Sequence, residues 1–254
     1  MKEKSCKISA LVITLNEEDR IEKFLKSLSF ADEIILVDSY STDNTFALAK
    51  KQAKTTVLQR AFDNFSAQKN YAISQAKHDW IVFFDADEEI TPHLTSEILA
   101  VLKNPQAAAF SVRRDFYFMG KKIKFSGLRD DTVVRVFDKR LCRYSDNLVH
   151  ETLEVIGKTA VLKQRLPHFS YKGFDNYTQK LHQYSALQAR MLYAKKKKPT
   201  LYHFLFRPWY RFWHQYLIRL GILDGKEGFI LAYVSAFSVF KRYLNLWLLY
   251  RRIE

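Results

Sequence analysis

Short apolar runs alternate with amphipathic segments along the first hundred or so residues. Four runs are predicted to be strands: Ile8–Thr14, Ile34–Val37, the short Thr56–Leu58 and the buried Trp80–Phe84. Between them apolar residues recur at helical spacing, as in Ile21, Phe24, Leu25 and Leu28. Strands that alternate with helices form βαβ units, so the pattern predicts an α/β fold with a mostly parallel sheet flanked by helices.

The pattern changes after residue 107. Two further strands are predicted at Phe110–Arg113 and Val133–Phe137, with a turn between them. From Tyr177 onward the apolar spacing is helical. We therefore predict an α/β domain over residues 1–175 and a helical extension over residues 176–254.

The predicted extension combines aromatic residues with cationic ones. Lys195–Lys198 form a basic run, and the next helix, expected to begin at Pro208, carries arginines on one face. The apolar run Phe229–Phe240 is shorter than the roughly 20 residues that span a bilayer. Such amphipathic segments are typical of elements that lie on anionic membranes. The alternative is a helical cap whose aromatic residues pack against the α/β domain.

Composition narrows the possible partners. The chain has 254 residues and a formal net charge of +14, which predicts an anionic partner. Its two cysteines, Cys6 and Cys142, provide neither a disulfide framework nor metal-ligand spacing, which favours a reducing compartment. Acidic residues end the first apolar stretch early, so we interpret it as a strand and not a signal peptide. Neither the P-loop nor the dinucleotide glycine fingerprint occurs.

Polar side chains follow three of the predicted strands at their carboxyl ends. These residues are Thr14, Asn16, Glu17, Asp38, Asp85 and Asp87. Open α/β sheets bind ligands at this edge. Side chains two apart on an extended segment point the same way, so Asp85 and Asp87 are expected to face one site. Their oxygens suit a divalent cation, Mg²⁺ or Mn²⁺, shared with phosphates. A solvated acidic turn is the alternative.

Three segments carry a resemblance: Thr14-Leu15-Asn16-Glu17, Val37-Asp38-Ser39-Tyr40-Ser41-Thr42-Asp43 and Phe84-Asp85-Ala86-Asp87. In this order they resemble the nucleotide-sugar half of a family 2 glycosyltransferase with the GT-A fold. The resemblance implies a nucleotide-sugar half over about residues 1–105 and an acceptor half over about 106–175.

A finer likeness rests on Gln68–Asn70, Val149–Glu151 and Gly225–Phe229. These segments resemble bacterial lipopolysaccharide-core glycosyltransferases, of the type that adds β-1,4-glucose to the inner-core heptose.

The resemblance assigns nucleotide-sugar roles to several residues. It implies that Thr14 and Glu17 lie against the nucleoside and that Asp38 accepts a hydrogen bond from the base, usually uracil. Asn16 belongs to the same motif, although a helix cap is the simpler account of it. Lys69 stands where the family often has arginine and would contact the base or a phosphate; the alternative is a solvated helix lysine.

The same resemblance implies a metal site. Asp85 would lie near the ribose and the metal, with Ala86 next to it in the nucleotide-sugar motif. Asp87 would be the direct ligand of a Mn²⁺ or Mg²⁺ ion that bridges to the donor diphosphate. His168 would complete the metal shell or meet a phosphate, and the alternative for it is a half-buried structural histidine.

An inverting transfer needs a base that takes the proton of the acceptor hydroxyl. The resemblance points to Glu151 as this general base, and Asp131 or Asp130 is the fallback, since other members of the family use an aspartate motif. Without the resemblance, Glu151 would be read as an ordinary exposed glutamate.

These expectations together describe an inverting glycosyltransferase that moves a sugar, glucose first, from a UDP-sugar to a lipopolysaccharide-core or other lipid-linked acceptor. The expected location is the cytoplasmic, inner face of the bacterial membrane, in peripheral contact with anionic lipid and without a nucleic-acid partner. Two alternatives stay open: a polyprenyl-phosphate glycosyltransferase, and a non-catalytic basic protein that binds nucleic acid or membrane.

Overall fold

A computed structural model of the chain describes residues 6–128, 131–145, 152–171 and 173–253. The chain divides into two compact units. The first comprises Met1–Arg114 and Asp131–His168, and the second comprises Asp115–Asp130 and Phe169–Glu254. The second unit therefore includes an internal segment that the sequence pattern had assigned to the α/β domain.

The secondary structure follows the predicted alternation. The strands are β1 (Ile8–Thr14), β2 (Glu33–Asp38), β3 (Thr55–Gln59), β4 (Trp80–Phe83), β5 (Ala109–Phe118), β6 (Lys121–Lys122), β7 (Thr132–Asp138), β8 (Cys142–Tyr144), β9 (Leu153–Val155) and β10 (Thr159–His168). The helices are α1 (Ile21–Ser27), α2 (Thr45–Lys50), α3 (Phe65–Gln75), α4 (Pro92–Lys103), α5 (Phe174–Ala194), α6 (Leu201–Trp213) and α7 (Lys226–Arg251).

The main sheet of the first unit has the strand order β10-β5-β7-β4-β1-β2-β3, and β8 and β9 form a separate two-stranded sheet. Strand β1 pairs in parallel with β2 and β4, and β2 pairs in parallel with β3. Strand β7 runs antiparallel to β4 and β5. The predicted α/β class with a mostly parallel sheet and flanking helices is therefore confirmed.

Apolar side chains cover both faces of this sheet. Alternate residues of β1 enter different clusters: Ala10 and Val12 pack with Phe24, whereas Leu11 packs with Ile81 on the other side. Both faces of a parallel sheet are buried in this way, because crossover helices lie on each side. The continuous apolar runs of β1 and β4 follow from this burial, and polar residues are left for the strand ends.

In the second unit, which we call the C-terminal unit, α5 and α7 pack against the end of β5 and the segment that follows it. Phe118 and Ile123 form a cluster with Tyr177 of α5 and Leu231 of α7. The Asp224 carboxylate accepts hydrogen bonds from the backbone N–H groups of residues 124 and 125 and from the Ser126 hydroxyl, at 2.8–3.2 Å. These bonds explain why this internal segment joins the C-terminal helices.

The prediction that a helix begins at Pro208 is wrong, because α6 begins earlier, at Leu201. The backbone N–H of Thr200 donates to Nδ1 of His203 at 3.1 Å, which gives the helix an earlier start. Pro208 lies inside the helix, and the segment His214–Ile218 that follows is π-helical. No helix in the described ranges combines the length and the apolar character needed to cross a membrane.

Candidate active site

The carboxyl ends of β1 and β2 lie side by side. Thr14 is paired with Asp38, and the backbone N–H of Ser39 donates to the Thr14 carbonyl at 2.9 Å. Asp38 is fully buried, and its Oδ2 accepts from the backbone N–H of Ser41 (3.0 Å) and from Nε2 of Gln59 (3.2 Å). Thr14 is also buried, and its Oγ1 has no hydrogen-bond partner among the described residues. This edge therefore offers an oriented acceptor and an unused hydroxyl.

Asn16 and Glu17 tie the loop after β1 to the loop after β2. The backbone N–H of Asn16 donates to Oγ of Ser41 (2.9 Å), and its Oδ1 accepts from the backbone N–H of Thr42 (2.8 Å). The backbone N–H of Glu17 donates to Oγ1 of Thr45 (2.7 Å). The expected helix cap at Asn16 is wrong, because its φ of 55° is left-handed whereas an N-cap is extended.

The acidic segment after β4 forms a turn. The backbone N–H of Glu88 donates to the Asp85 carbonyl, and the backbone N–H of Asp85 donates to Oε2 of Glu88, both at 3.0 Å. The expectation that Asp85 and Asp87 lie on an extended segment is therefore wrong. Ala86, between them, is buried. The turn gives the two aspartates different partners.

The partner of Asp85 is a buried arginine on β7. The Arg135 guanidinium forms ion pairs with Asp85 and with Glu88, and its Nε donates to Oε1 of Glu88 at 3.2 Å. Nη1 of Arg114 lies 3.7 Å from the same oxygen. A buried charge without a partner is costly, so these contacts hold the network together. They also fix the Asp85 carboxylate at the end of β4.

Burial and charge act differently on the two acids of this network. Burial raises the pKa of Asp85, but the charges of Arg135 and then Lys69 outweigh it and lower that pKa from 3.8 to about 2. Burial also raises the pKa of Glu88; there the charge of Arg135 does not offset burial, and the Asp85 charge adds to the increase. Asp85 is therefore a carboxylate at neutral pH.

Lys69 is buried on α3, at 5% exposure, which overturns the solvated-lysine alternative. Its Nζ lies 5.0 Å from the ring centroid of Tyr144 and 5.8 Å from that of Phe83. Its charge contributes to the low pKa of Asp85. A lysine is rarely buried without an anionic or aromatic partner, so this one supplies a cation close to the acidic strand end.

The residues on either side of Lys69 anchor the surrounding loops. Nε2 of Gln68 donates to Oγ of Ser39 at 3.0 Å. Asn70 makes two hydrogen bonds with the backbone of Tyr144, at 2.9 and 3.1 Å. The Gln68-Lys69-Asn70 segment therefore connects the loop after β2 with the end of β8.

Asp87 lies beside His168. The backbone bridge between Glu88 and His168 brings Oδ2 of Asp87 to 3.4 Å from Nε2 of His168. Oδ1 of Asp87 is buried and accepts no hydrogen bond from any described residue. A carboxylate oxygen and an imidazole nitrogen side by side suit a divalent transition ion such as Mn²⁺. The residues fit the metal that the resemblance implies.

The protein side chains supply only part of a coordination shell. Within the described ranges, no group of three or more His, Cys, Asp or Glu residues is arranged to hold a metal ion. The remaining ligands would come from phosphates or water, as is usual where one or two carboxylates hold Mg²⁺.

Glu151 and Asp130 lie outside the described residues. Oδ2 of Asp131 accepts from Nε of Arg114 at 2.8 Å and forms an ion pair with Nη2 at 2.6 Å. An aspartate held in this way is a structural partner of Arg114, so the geometry does not favour it as a proton acceptor.

Sequence reasoning missed the roles of Arg135 and Glu88. The available signal is an arginine in the middle of the apolar strand Val133–Phe137, because a buried arginine requires a carboxylate partner. The sequence did not identify that partner, since Glu88 lies 47 residues away.

Comparison with known proteins agrees with this fold. The chain is 28% identical over 261 residues to an uncharacterised glycosyltransferase of Rickettsia bellii, covering 94% of this chain and 86% of the relative. It is 27% identical over 252 residues to the lipopolysaccharide core biosynthesis glycosyltransferase LpsC of Rhizobium meliloti, covering 93% of each protein. The structure of S. aureus TarS residues 1–349 in complex with UDP is 15% identical, with a TM-score of 0.51 and coverage of 98% and 92%.

The fold likeness to TarS and the glycosyltransferase relatives confirm the predicted GT-A fold and enzyme class. The model of glycosyl transferase family 2 matches residues 9–166, more than half of the chain. The protein therefore belongs to glycosyl transferase family 2, whose members transfer sugar from a nucleotide donor.

Proposed function

We propose that this protein is an inverting glycosyltransferase that takes UDP-glucose and glycosylates a lipopolysaccharide-core or other lipid-linked acceptor, with a divalent metal at Asp87. The observation that carries the donor site is the buried Oδ1 of Asp87, which has no partner among the described residues and lies beside His168. The similarity to LpsC over 93% of each chain supports the lipopolysaccharide acceptor.

The nucleoside would bind where β1 and β2 end. Three hydrogen bonds hold the Asp38 carboxylate, two from Ser41 and one from Gln59, so its oxygens are fixed in the orientation from which we expect them to accept the N–H of a uracil base. The Thr14 hydroxyl has no partner among the described residues and is available for a further polar contact. Burial makes both contacts stronger than they would be in water.

The diphosphate would bind where β4 ends. Asp87 and His168 would hold the metal, which when bound neutralises charge on the departing nucleoside diphosphate. Arg135 fixes Asp85 beside this site, and the buried ammonium of Lys69 offers a second positive charge for a phosphate. These side chains are in place before the donor arrives, and such preorganisation is the main source of electrostatic catalysis.

The reaction is a single displacement at the anomeric carbon. The acceptor oxygen forms a bond to that carbon as the bond to the diphosphate breaks, and the hydroxyl proton goes to a general base. Glu151 is our candidate for this base, a contribution of roughly 10² to 10⁴ in rate. The pairing of Asp131 with Arg114 leaves it as the weaker candidate.

The C-terminal unit would hold the enzyme on an anionic bilayer through α6. No residue of α6 is buried, and large apolar side chains such as Trp209 and Tyr210, both 63% exposed, lie on its surface with exposed Arg207. Aromatic and basic residues together suit the interface of anionic lipid. Co-sedimentation with anionic vesicles that is weakened by salt would support this contact; no co-sedimentation at low salt would refute it.

The donor site is tested by calorimetric titration of UDP and UDP-glucose, with Mn²⁺ or with chelator. We expect saturable binding that is at least roughly ten-fold weaker with chelator and in Asp87→Ala. Glu89→Ala is the matched control, because this neighbouring carboxylate pairs with Lys23 on the surface. Equal binding by wild type and Asp87→Ala would show that Asp87 is not the metal ligand.

A further inference from the structure

The C-terminal unit contains a cavity of about 340 Å³ to which the proposed reaction gives no role. Its wall is formed by the segment 126–128, by residues of α5, α6 and α7, and by the π-helical segment after α6. Cavities of this size lie in the range that holds small ligands. The volume suits one substituted sugar residue.

A buried amide in this cavity has an unused oxygen. Gln215 lines the cavity at 5% exposure, and its Oε1 accepts no hydrogen bond from any described residue. A buried acceptor without a donor is unfavourable, so such groups call for an explanation. A ligand hydroxyl would provide the missing donor.

The charged residues of the cavity wall are all potential cations. Arg211, Arg219 and His214 line it, and none of the described lining residues carries a carboxylate. The acidic residue closest in sequence to these three residues is Asp224, and its carboxylate accepts the hydrogen bonds that hold residues 124–126. Two guanidinium groups without acidic partners in the wall favour a phosphate.

The cavity wall is built on well-connected backbone. The backbone N–H of Arg219 donates to the His214 carbonyl, and the Arg219 carbonyl accepts from the backbone N–H of Ser126, both at 2.8 Å. A Cβ added at Gly127 would meet Cδ of Arg219 at 3.5 Å, so the stem of this arginine packs on the glycine. π-helical turns such as His214–Ile218 are found frequently at functional sites.

Two aromatic rings complete the wall. The rings of Tyr171 and Tyr177 line the cavity and pack edge to face, with centroids 4.5 Å apart. Burial raises the pKa of Tyr177, so its hydroxyl stays protonated. Aromatic faces with a few fixed polar groups are typical of ligand sites, and here they offer a surface for the apolar face of a sugar ring.

We propose that this cavity binds a phosphorylated sugar, with the phosphate against Arg211 and Arg219 and a sugar hydroxyl donating to Oε1 of Gln215. That this ligand is part of the glycan acceptor rests on the proposed function above. The binding itself does not, because every group involved belongs to the C-terminal unit.

The test is calorimetric titration of the full-length protein with glucose 6-phosphate, glucose and inorganic phosphate. We expect glucose 6-phosphate to bind at least roughly ten-fold more tightly than glucose or phosphate. Only glucose 6-phosphate can contact both the two arginines and Oε1 of Gln215. Arg211→Gln and Gln215→Met should each weaken it by roughly ten-fold or more. Arg190→Gln, at an exposed arginine of α5 outside the cavity wall, should leave it within about two-fold.

Each outcome decides one part of the proposal. Binding that Arg211→Gln and Gln215→Met weaken and Arg190→Gln does not would support it. Equal binding in all variants, or none by wild type, would overturn it.

Soluble dihexanoyl phosphatidic acid tests a lipid headgroup as the phosphate source, and binding of this probe alone would overturn the sugar assignment. A protein that binds glucose 6-phosphate but not UDP would refute the proposed donor site and leave this one standing. Arg211→Gln changes an exposed side chain, so it remains informative if Gln215→Met fails to fold.

Discussion

Replacement of Arg135 by methionine tests the buried ion network beneath the proposed donor site. Methionine keeps a long unbranched side chain but leaves Asp85 and Glu88 without their main cation. Removing one partner of a buried pair costs about 3–5 kcal/mol of unfolding free energy. The pKa of Asp85 is lowered from 3.8 to about 2, and this shift accounts for about 2 kcal/mol of the unfolding free energy at neutral pH. The figure is reduced for solvent screening, because the side chain is 32% exposed.

The cost of Arg135→Met should depend on pH. In the wild type the depressed pKa of Asp85 gives stability that is present above pH 3.8 and lost as pH falls towards 2. Without the guanidinium, burial should raise the pKa of Asp85 above 3.8 and raise that of Glu88 further, because burial is the largest cause at both. Protonation then stabilises the variant as pH falls. The difference between variant and wild type should therefore shrink from pH 7 to pH 4.

Hydrogen exchange of peptides from β4 and β7, measured in increasing urea at both pH values, reports the stability of this unit apart from the C-terminal helices. Arg113→Met on β5 is the matched control, since its side chain is exposed, and it should change stability by less than about 0.5 kcal/mol. A cost of Arg135→Met no greater than that of Arg113→Met, or a cost that is the same at pH 4 and pH 7, would show that Arg135 does not stabilise the two carboxylates.

Two further substitutions test the buried charge of Lys69 and the close packing of Gly228 on Gly221. Lys69→Met should weaken UDP binding by roughly ten-fold, because a buried cation near Asp85 is lost. Unchanged affinity in calorimetry would show that Lys69 does not reach the donor. Gly228→Ala should destabilise α7 by about 2 kcal/mol or more, because its Cβ would lie 1.9 Å from the Gly221 carbonyl oxygen. Helix propensity alone favours alanine by about 1 kcal/mol, so a gain in stability measured by hydrogen exchange of α7 would contradict the contact.

Local pattern was sufficient to predict the strands that frame the proposed donor site. The apolar runs of β1, β2 and β4 require burial on both faces, and a parallel sheet brings their carboxyl ends to one edge. Thr14 and Asp38 are indeed paired at the ends of neighbouring strands. Residue periodicity and strand length determine this much, because both are encoded within a few consecutive residues.

Tertiary structure alone decided which side chains complete that edge. Asp85 pairs with Arg135 across 50 residues, and Asp87 meets His168 through a bridge that the turn after β4 makes possible. The helical stretch around Lys69 showed no sign that its lysine would be buried, since a helix of low amphipathicity does not reveal which face packs inward. Contacts of this kind depend on which distant strands become neighbours, and that choice follows from the packing of the whole sheet and not from any single segment.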